Sequence, residues 1–117
     1  MAFSKSKKRT PNEERNFQIA LCTVPDTETG EQLAEMMVSQ NLAACVNIIP
    51  AITSIYQWQD KIEKDPEVLM VIKTADELIA DIEDLLNEEH PYEVFELISC
   101  GIEQAASAYF AWLNETL

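Results

Sequence analysis

The chain predicts an α+β domain, one antiparallel sheet with helices packed on it, and three observations predict it. Apolar residues alternate with polar ones, or run unbroken, in four short stretches. They recur at helical spacing in three others. The two kinds of stretch follow one another in the order β-α-β-β-α-β-α.

The first strand spans 17–24, where Phe17, Ile19 and Leu21 alternate with Gln18 and Ala20 until Pro25 and Asp26 stop it. Asp26 or Thr27 caps a helix running to about Gln40. Its early acids, Glu28 and Glu31, sit at the positive end of the dipole, and Leu33, Met36, Met37 and Gln40 trace the core-facing stripe. Residues 42–49 are apolar apart from Asn47, Pro50 and Ala51 bend the chain, and 52–58 resume as strand with Tyr56 and Trp58 on one face. Gln59, Asp60 and Lys61 form a turn. A polar stretch around 63–66 leads into the apolar strand 68–72, which ends at Lys73 and Thr74. Leu78, Ile79, Ile82, Leu85 and Leu86 mark an amphipathic helix over 75–89, which Pro91 terminates. Residues 94–102 read as a strand with Gly101 at a bulge or end. From about Gln104, Tyr109, Trp112, Leu113, Thr116 and Leu117 share one face of a last helix.

This order fits a split βαβ, ferredoxin-like sandwich followed by a C-terminal helix. A sheet with one wet face should alternate apolar and polar side chains, yet 42–49 and 68–72 are apolar on both faces. The third helix covers only part of the second face. Another copy of the chain is the economical cover, so the sequence predicts an obligate homo-oligomer in which the 42–74 hairpin reaches between subunits.

Charge bounds the function. Residues 1–15 carry Lys5, Lys7, Lys8, Arg9 and Arg15 against Glu13 and Glu14, and read as a disordered basic arm preceding a domain over 16–117. Beyond Arg15 there are nineteen acids, three lysines and no arginine. Such a field repels nucleic acid and attracts cations, and it also serves solubility. No stretch is long and apolar enough for a membrane helix, and no secretory signal follows the basic start. Three cysteines without a close pair are the pattern of reduced thiols in a cytoplasmic protein.

Several segments resemble the CutA divalent-cation tolerance family: Leu21-Cys22-Thr23-Val24-Pro25-Asp26, Leu42-Ala43-Ala44-Cys45-Val46-Asn47-Ile48-Ile49-Pro50 and Ser54-Ile55-Tyr56-Gln57-Trp58. The pattern continues through Lys61-Ile62-Glu63, Val71-Ile72-Lys73-Thr74, His90-Pro91-Tyr92-Glu93-Val94 and Tyr109-Phe110-Ala111-Trp112-Leu113. They stand in family order and spacing across 17–117. The resemblance implies a ferredoxin-like subunit, a tight homotrimer similar in build to PII signalling trimers, and a role in tolerance of divalent metals, chiefly copper. It places Cys22, Cys45, His90 and Glu96 at the family's proposed metal site. Tyr56, Trp58, Lys73, Tyr92 and Trp112 fall at trimer or cleft contacts. The chain departs from the pattern at Phe95, where proline is usual before the glutamate, and at Gln57 and Asp60 around the hairpin. Cys100 lies outside it.

His90 is the only histidine and stands where helix gives way to strand, with Glu93 and Glu96 close behind. Imidazole and carboxylate suit Zn(II) or Cu(II), and thiolate suits Cu(I) or Zn(II). Against a ligand role, His90 could satisfy the helix C-terminal carbonyls, and Cys45 could be a small buried apolar residue of its strand. Cys22, at the end of the first strand, reads as the more reachable thiol, Cys100 as structural. Tyr56, Trp58 and Tyr92 could pack between subunits or stack on a ligand. No nucleophile partners His90 by spacing, no arginine cradles phosphate and there is no glycine-rich loop, so an enzyme is not expected, nor an organic cofactor. The competing non-enzymatic reading is a PII-like signalling or scaffold trimer that binds a small ligand or partner protein at its clefts.

Overall fold

The computed structural model describes residues 15–117, so the basic arm expected over 1–15 lies, except for Arg15, outside the described residues. The elements are β1 (Phe17–Val24), α1 (Thr27–Ser39), β2 (Cys45–Trp58), β3 (Lys61–Ala75), a 3-10 turn (Asp76–Leu78) leading into α2 (Ile79–Glu89), β4 (Ile98–Gly101) and α3 (Ser107–Thr116). The sheet order is β2-β3-β1-β4, antiparallel at each pairing, which is the ferredoxin-like arrangement. Among the described residues no helix is long and apolar enough to cross a membrane.

Local chemistry sets the ends of these elements. Asp26 caps α1 by accepting the Thr29 N–H at 2.7 Å. At the other end Asn41 adopts the left-handed conformation (φ 58), the Asn41 N–H reaches the Val38 carbonyl and the Leu42 N–H the Met37 carbonyl. That Schellman closure turns the chain back, so β2 begins at Cys45 rather than at residue 42. The β2–β3 hairpin closes through Gln59 (φ 50) and Asp60 (φ 66), a two-residue turn of the type that normally calls for glycine. Between the pairs Ile49–Leu69 and Ile52–Glu67 the register slips, with Ala51 at φ 60, and this bulge is the bend expected at Pro50 and Ala51.

The main core lies on the helix-covered face. Ala20, Cys22 and Val24 of β1 and Val68, Met70 and Ile72 of β3 meet Leu33 and Met37 of α1 and Ile82, Leu85 and Leu86 of α2. Among the described residues the other face is covered at one end only. There α3 lays Leu113 against Phe17, Ala44 and Ala75, and the Phe17 and Phe110 rings meet edge to face at 5.1 Å. Beyond α3 the pairings place Cys45, Lys73, Ile19 and Cys100 in one cross-strand row and Asn47, Val71, Leu21 and Ile98 in the next. These side chains are half-buried or exposed, Ile98 at 57%. Past the bulge the hairpin carries Ile55 at 66%, Trp58 at 50% and Ile62 at 82% exposed.

The last strand and the last helix are also shorter than their apolar patterns suggest. The strand expected over 94–102 pairs only from Ile98 to Gly101, because Phe95 and Leu97 turn inward to pack against the main core. The last helix starts at Ser107, not near Gln104, and residues 103–106 remain exposed and non-helical.

Candidate functional site

Helix α2 stops at His90 because Pro91 cannot continue it. His90 takes an extended backbone (φ −74, ψ 134) while its N–H still reaches the Leu86 carbonyl at 2.9 Å. The side chain turns inward and is 8% exposed. Its Nε2 lies 2.9 Å from the Thr23 carbonyl, and its Nδ1 accepts the Tyr92 N–H at 3.0 Å. A carbonyl cannot donate and an amide N–H cannot accept, so these partners assign a neutral ring with the proton on Nε2. Burial pushes the imidazole pKa below its ordinary value, while the Thr23 carbonyl and the charge of Glu67 pull the other way. The ring stacks on Phe95 (centroids 5.3 Å, 22° apart) and tilts against Tyr92 at 4.9 Å. Phe95, at the position where the family pattern has proline, is therefore a packing partner of the histidine. The imidazole does not satisfy helix carbonyls; it fastens the segment after α2 to the end of β1.

The two cysteines of the expected site stand on opposite faces of the sheet. Cys22 pairs with Met70, faces the helices and is completely buried. Burial, with the nearby charges of Glu96 and Glu67, pushes its thiol up to about 12, so it stays protonated at neutral pH. Cys45 pairs with Lys73 and is half-buried on the open face, near Tyr109, whose phenol pKa is raised chiefly by burial. The expected order of accessibility is thus reversed, since the reachable thiols are Cys45 and the exposed Cys100. Parity explains this: even-numbered residues of β1 point to the helices, and both faces of that strand are apolar.

The carboxylates are organised by a residue the sequence did not single out. Glu67, opposite Ile52 beside the bulge, accepts the Tyr92 hydroxyl at 2.8 Å. Its charge opposes ionisation of Cys22, Glu96, Tyr92 and Tyr56. Glu96 is exposed, yet partial desolvation and the repulsion of Glu67 raise its pKa above the ordinary carboxylate value. Tyr56 donates to Asp65 across the hairpin, and its phenol is pushed up to about 12. Burial and the bond to Glu67 likewise raise Tyr92. Within the subunit both tyrosines donate to carboxylates. The sequence signal for Glu67 was slight: an acid after Pro66 at the threshold of an apolar strand, whose partners lie 25 or more residues away.

Within one subunit, then, Cys22, His90, Glu67 and Glu96 cluster at the end of β1, and Cys45 lies across the sheet. Among the described residues no three of His, Cys, Asp and Glu are arranged to hold a metal ion. Both imidazole nitrogens and the buried thiol are committed internally, which leaves Glu67 and Glu96 as the donors with lone pairs to offer. Of the remaining expected contact residues, Trp58 lies at the hairpin tip, Lys73 in the open-face row, and Trp112 against Tyr109 on α3 at 5.4 Å.

Comparison with known proteins agrees with the fold. The family model described as CutA1 divalent ion tolerance protein matches residues 18–116. Protein CutA of Homo sapiens is 45% identical over 96 residues, which are 82% of this chain and 54% of that protein. The chain thus spans about half the length of that relative. The divalent-cation tolerance protein CutA of Thermus thermophilus is 37% identical over 98 residues, 84% of this chain and 95% of that one. The crystal structure of CutA1 from Oryza sativa superposes with a TM-score of 0.83 at 37% identity, covering 86% of this chain and 93% of that chain. The chain belongs to the CutA1 divalent ion tolerance protein family.

Proposed function

We propose that this protein works as a cytoplasmic homotrimer that binds divalent metal ions, copper foremost, and contributes to their tolerance without a catalytic step. The observation that carries the metal reading is the meeting of Glu67 and Glu96. Glu96 is harder to ionise because it is partly desolvated and because Glu67 repels its charge, in a domain with three lysines against nineteen acids, and a divalent cation relieves that cost. Cu(II) and Zn(II) accept carboxylate oxygen and fit this pair. Cu(I), which prefers thiolate, fits less well while Cys22 stays buried and protonated. His90 would join as a ligand only by giving up the Thr23 carbonyl or the Tyr92 N–H. Cys45 would take part only in a second site on the open face.

The trimer rests on that open face. Leu21, Leu69, Val71, Ile49 and Ile98 form an apolar surface that α3 leaves uncovered, and the hairpin projects its own apolar side chains beyond the subunit. Light scattering should give about 40 kDa from 13.3 kDa chains. Titration of Cu(II) and Zn(II) should show at least roughly tenfold weaker binding in Glu67→Gln/Glu96→Gln than in the wild type. Equal affinity would overturn the assignment of these ligands, and a 13 kDa species would overturn the trimer.

A further inference from the structure

A groove of about 320 Å³ lies between the C-terminal end of α1 and the outer side of α2, away from the cluster around Glu67. Met36, Leu42 and Leu85 give it apolar walls, Gln40 stands at one end, and Asp81, Asp84, Glu88 and Glu89 line it with negative charge. Glu77, in the 3-10 turn, and Asp81, Asp84 and Glu88 of α2 follow one another at intervals of four, three and four residues, so they form one stripe along the turn and the helix. No lysine or arginine follows Lys73 anywhere in the chain. Neither α1 nor α2 has a basic residue in its last turn, and Glu88 and Glu89 stand at the negative end of the α2 dipole, where a cation would be favoured. Among the described residues, none of those that line the groove is basic.

The first carboxylate of the stripe already has a cation on it. Arg15, the first described residue, pairs with Glu77 at 2.7 Å and lies over the Phe17 ring at 5.0 Å. Arg15 thus lies beside the start of α2, and the sequence before it carries Lys5, Lys7, Lys8 and Arg9 with no acid among residues 1–12. Arg9 is six residues from Arg15, a reach of up to about 20 Å when extended. Along a helix, Asp84 and Glu88 stand roughly 10 and 16 Å from Glu77. The reach matches the spacing, and the short tether holds the cations at high effective concentration beside the groove.

We propose that the Lys5–Arg9 segment of this chain docks in the groove on α2, its cations on Asp81, Asp84 and Glu88 and its aliphatic stems on Leu42 and Leu85. Glu13 and Glu14 oppose this only next to Arg15, and the four cations upstream outnumber them. The occupant neutralises the acidic ends of α2 and withdraws the segment from solvent in a salt-dependent way, because exposed ion pairs screen within about 10 Å at 0.1 M salt.

Limited trypsin digestion of the full chain tests the proposal, since Lys5, Lys7, Lys8 and Arg9 are its substrate sites. At low ionic strength, cleavage there should be about five- to tenfold slower than in Asp84→Asn/Glu88→Gln, and about 1 M salt should remove the difference. Carbodiimide cross-linking followed by peptide mapping should join Lys7 or Lys8 to Asp84 or Glu88. Equal cleavage rates in wild type and variant, or cross-links spread as readily to Glu28 and Glu31 on α1, would overturn it. Circular dichroism of the variant, expected to match wild type because both substituted residues are exposed, separates loss of docking from loss of fold.

Discussion

Cys22 and Cys45 sit on strands separated only by β3, in segments of similar apolar character, and the sheet sends them to opposite sides. Around Cys22 the neighbours are Ala20, Val24, Met70 and Ile72, all sealed beneath α1 and α2. Around Cys45 they are Lys73, Asn47 and Ile19, half-buried or exposed on a face where α3 covers one end. The comparison teaches that in a strand apolar on both faces, composition cannot say which face the fold closes. The helices decide it, and with it which thiol can meet a metal or an oxidant. One face is a finished core within the subunit; among the described residues the other is covered only where α3 lies on it.

The largest effect that could break this comparison is kinetic. Titration of the native protein with a disulfide reagent should modify Cys100 at once and leave Cys22 slower by roughly three orders of magnitude, its reaction waiting on opening of the core and on loss of a proton held to about 12. Cys45, half-buried, should react at an intermediate rate. Fast modification of Cys22 in folded protein would show that the helix-covered face opens readily, and the contrast between the faces would fail.

His90 bounds the covered face at the end of β1, and its loss should weaken that side specifically. His90→Ala leaves the Thr23 carbonyl and the Tyr92 N–H without partners and removes the stack on Phe95, so denaturant unfolding should show a loss of about 2–4 kcal/mol. The pH dependence carries a sign. Burial places the folded-state pKa below the 6.5 of the unfolded chain, so as pH falls the unfolded chain takes up the proton first. The contribution of His90 is therefore complete above about 6.5 and is lost progressively as pH falls toward the depressed value. Glu96 acts in the opposite sense: its raised pKa favours the folded state below the ordinary 4.5 and loses that advantage as pH rises. Stability of wild type relative to His90→Ala should thus grow with pH up to about 6.5 and level off. A flat difference would mean that the ring is not held neutral between Thr23 and Tyr92.

Much of the fold was legible because local rules agreed with it. The bounds of Phe17–Val24 match the apolar stretch to the residue, Asp26 caps as its side chain allows, and Pro91 ends α2. Legibility failed where tertiary contacts overrode the local pattern. Residues 94–97 have strand character, but Phe95 and Leu97 gain more from the core and from the His90 ring than from pairing with β1. The candidate site was legible in part. The sequence marked His90 and Glu96, but whether the imidazole was free depended on Thr23, 67 residues away, and Glu67 took its importance from Tyr92 and Glu96 on a distant segment.

The smallest effect concerns the boundary where the closed sheet gives way to the projecting hairpin. At the bulge Pro50 needs no ladder hydrogen bond, but Ala51 is held at φ 60 with a methyl that disfavours that region. A left-handed conformation costs an L-residue about 1–2 kcal/mol, and glycine removes that at the expense of about 0.5–1 kcal/mol of extra freedom in the unfolded chain. Ala51→Gly should therefore stabilise the protein by about 0.5–1 kcal/mol, read as a higher denaturant midpoint with an unchanged slope. Ala51 is exposed in the subunit, so its methyl buries little surface there. A loss of stability instead would place that methyl in a contact between copies, and the hairpin beyond the bulge would then belong to a closed surface, as Cys22 does, rather than to the open face of Cys45.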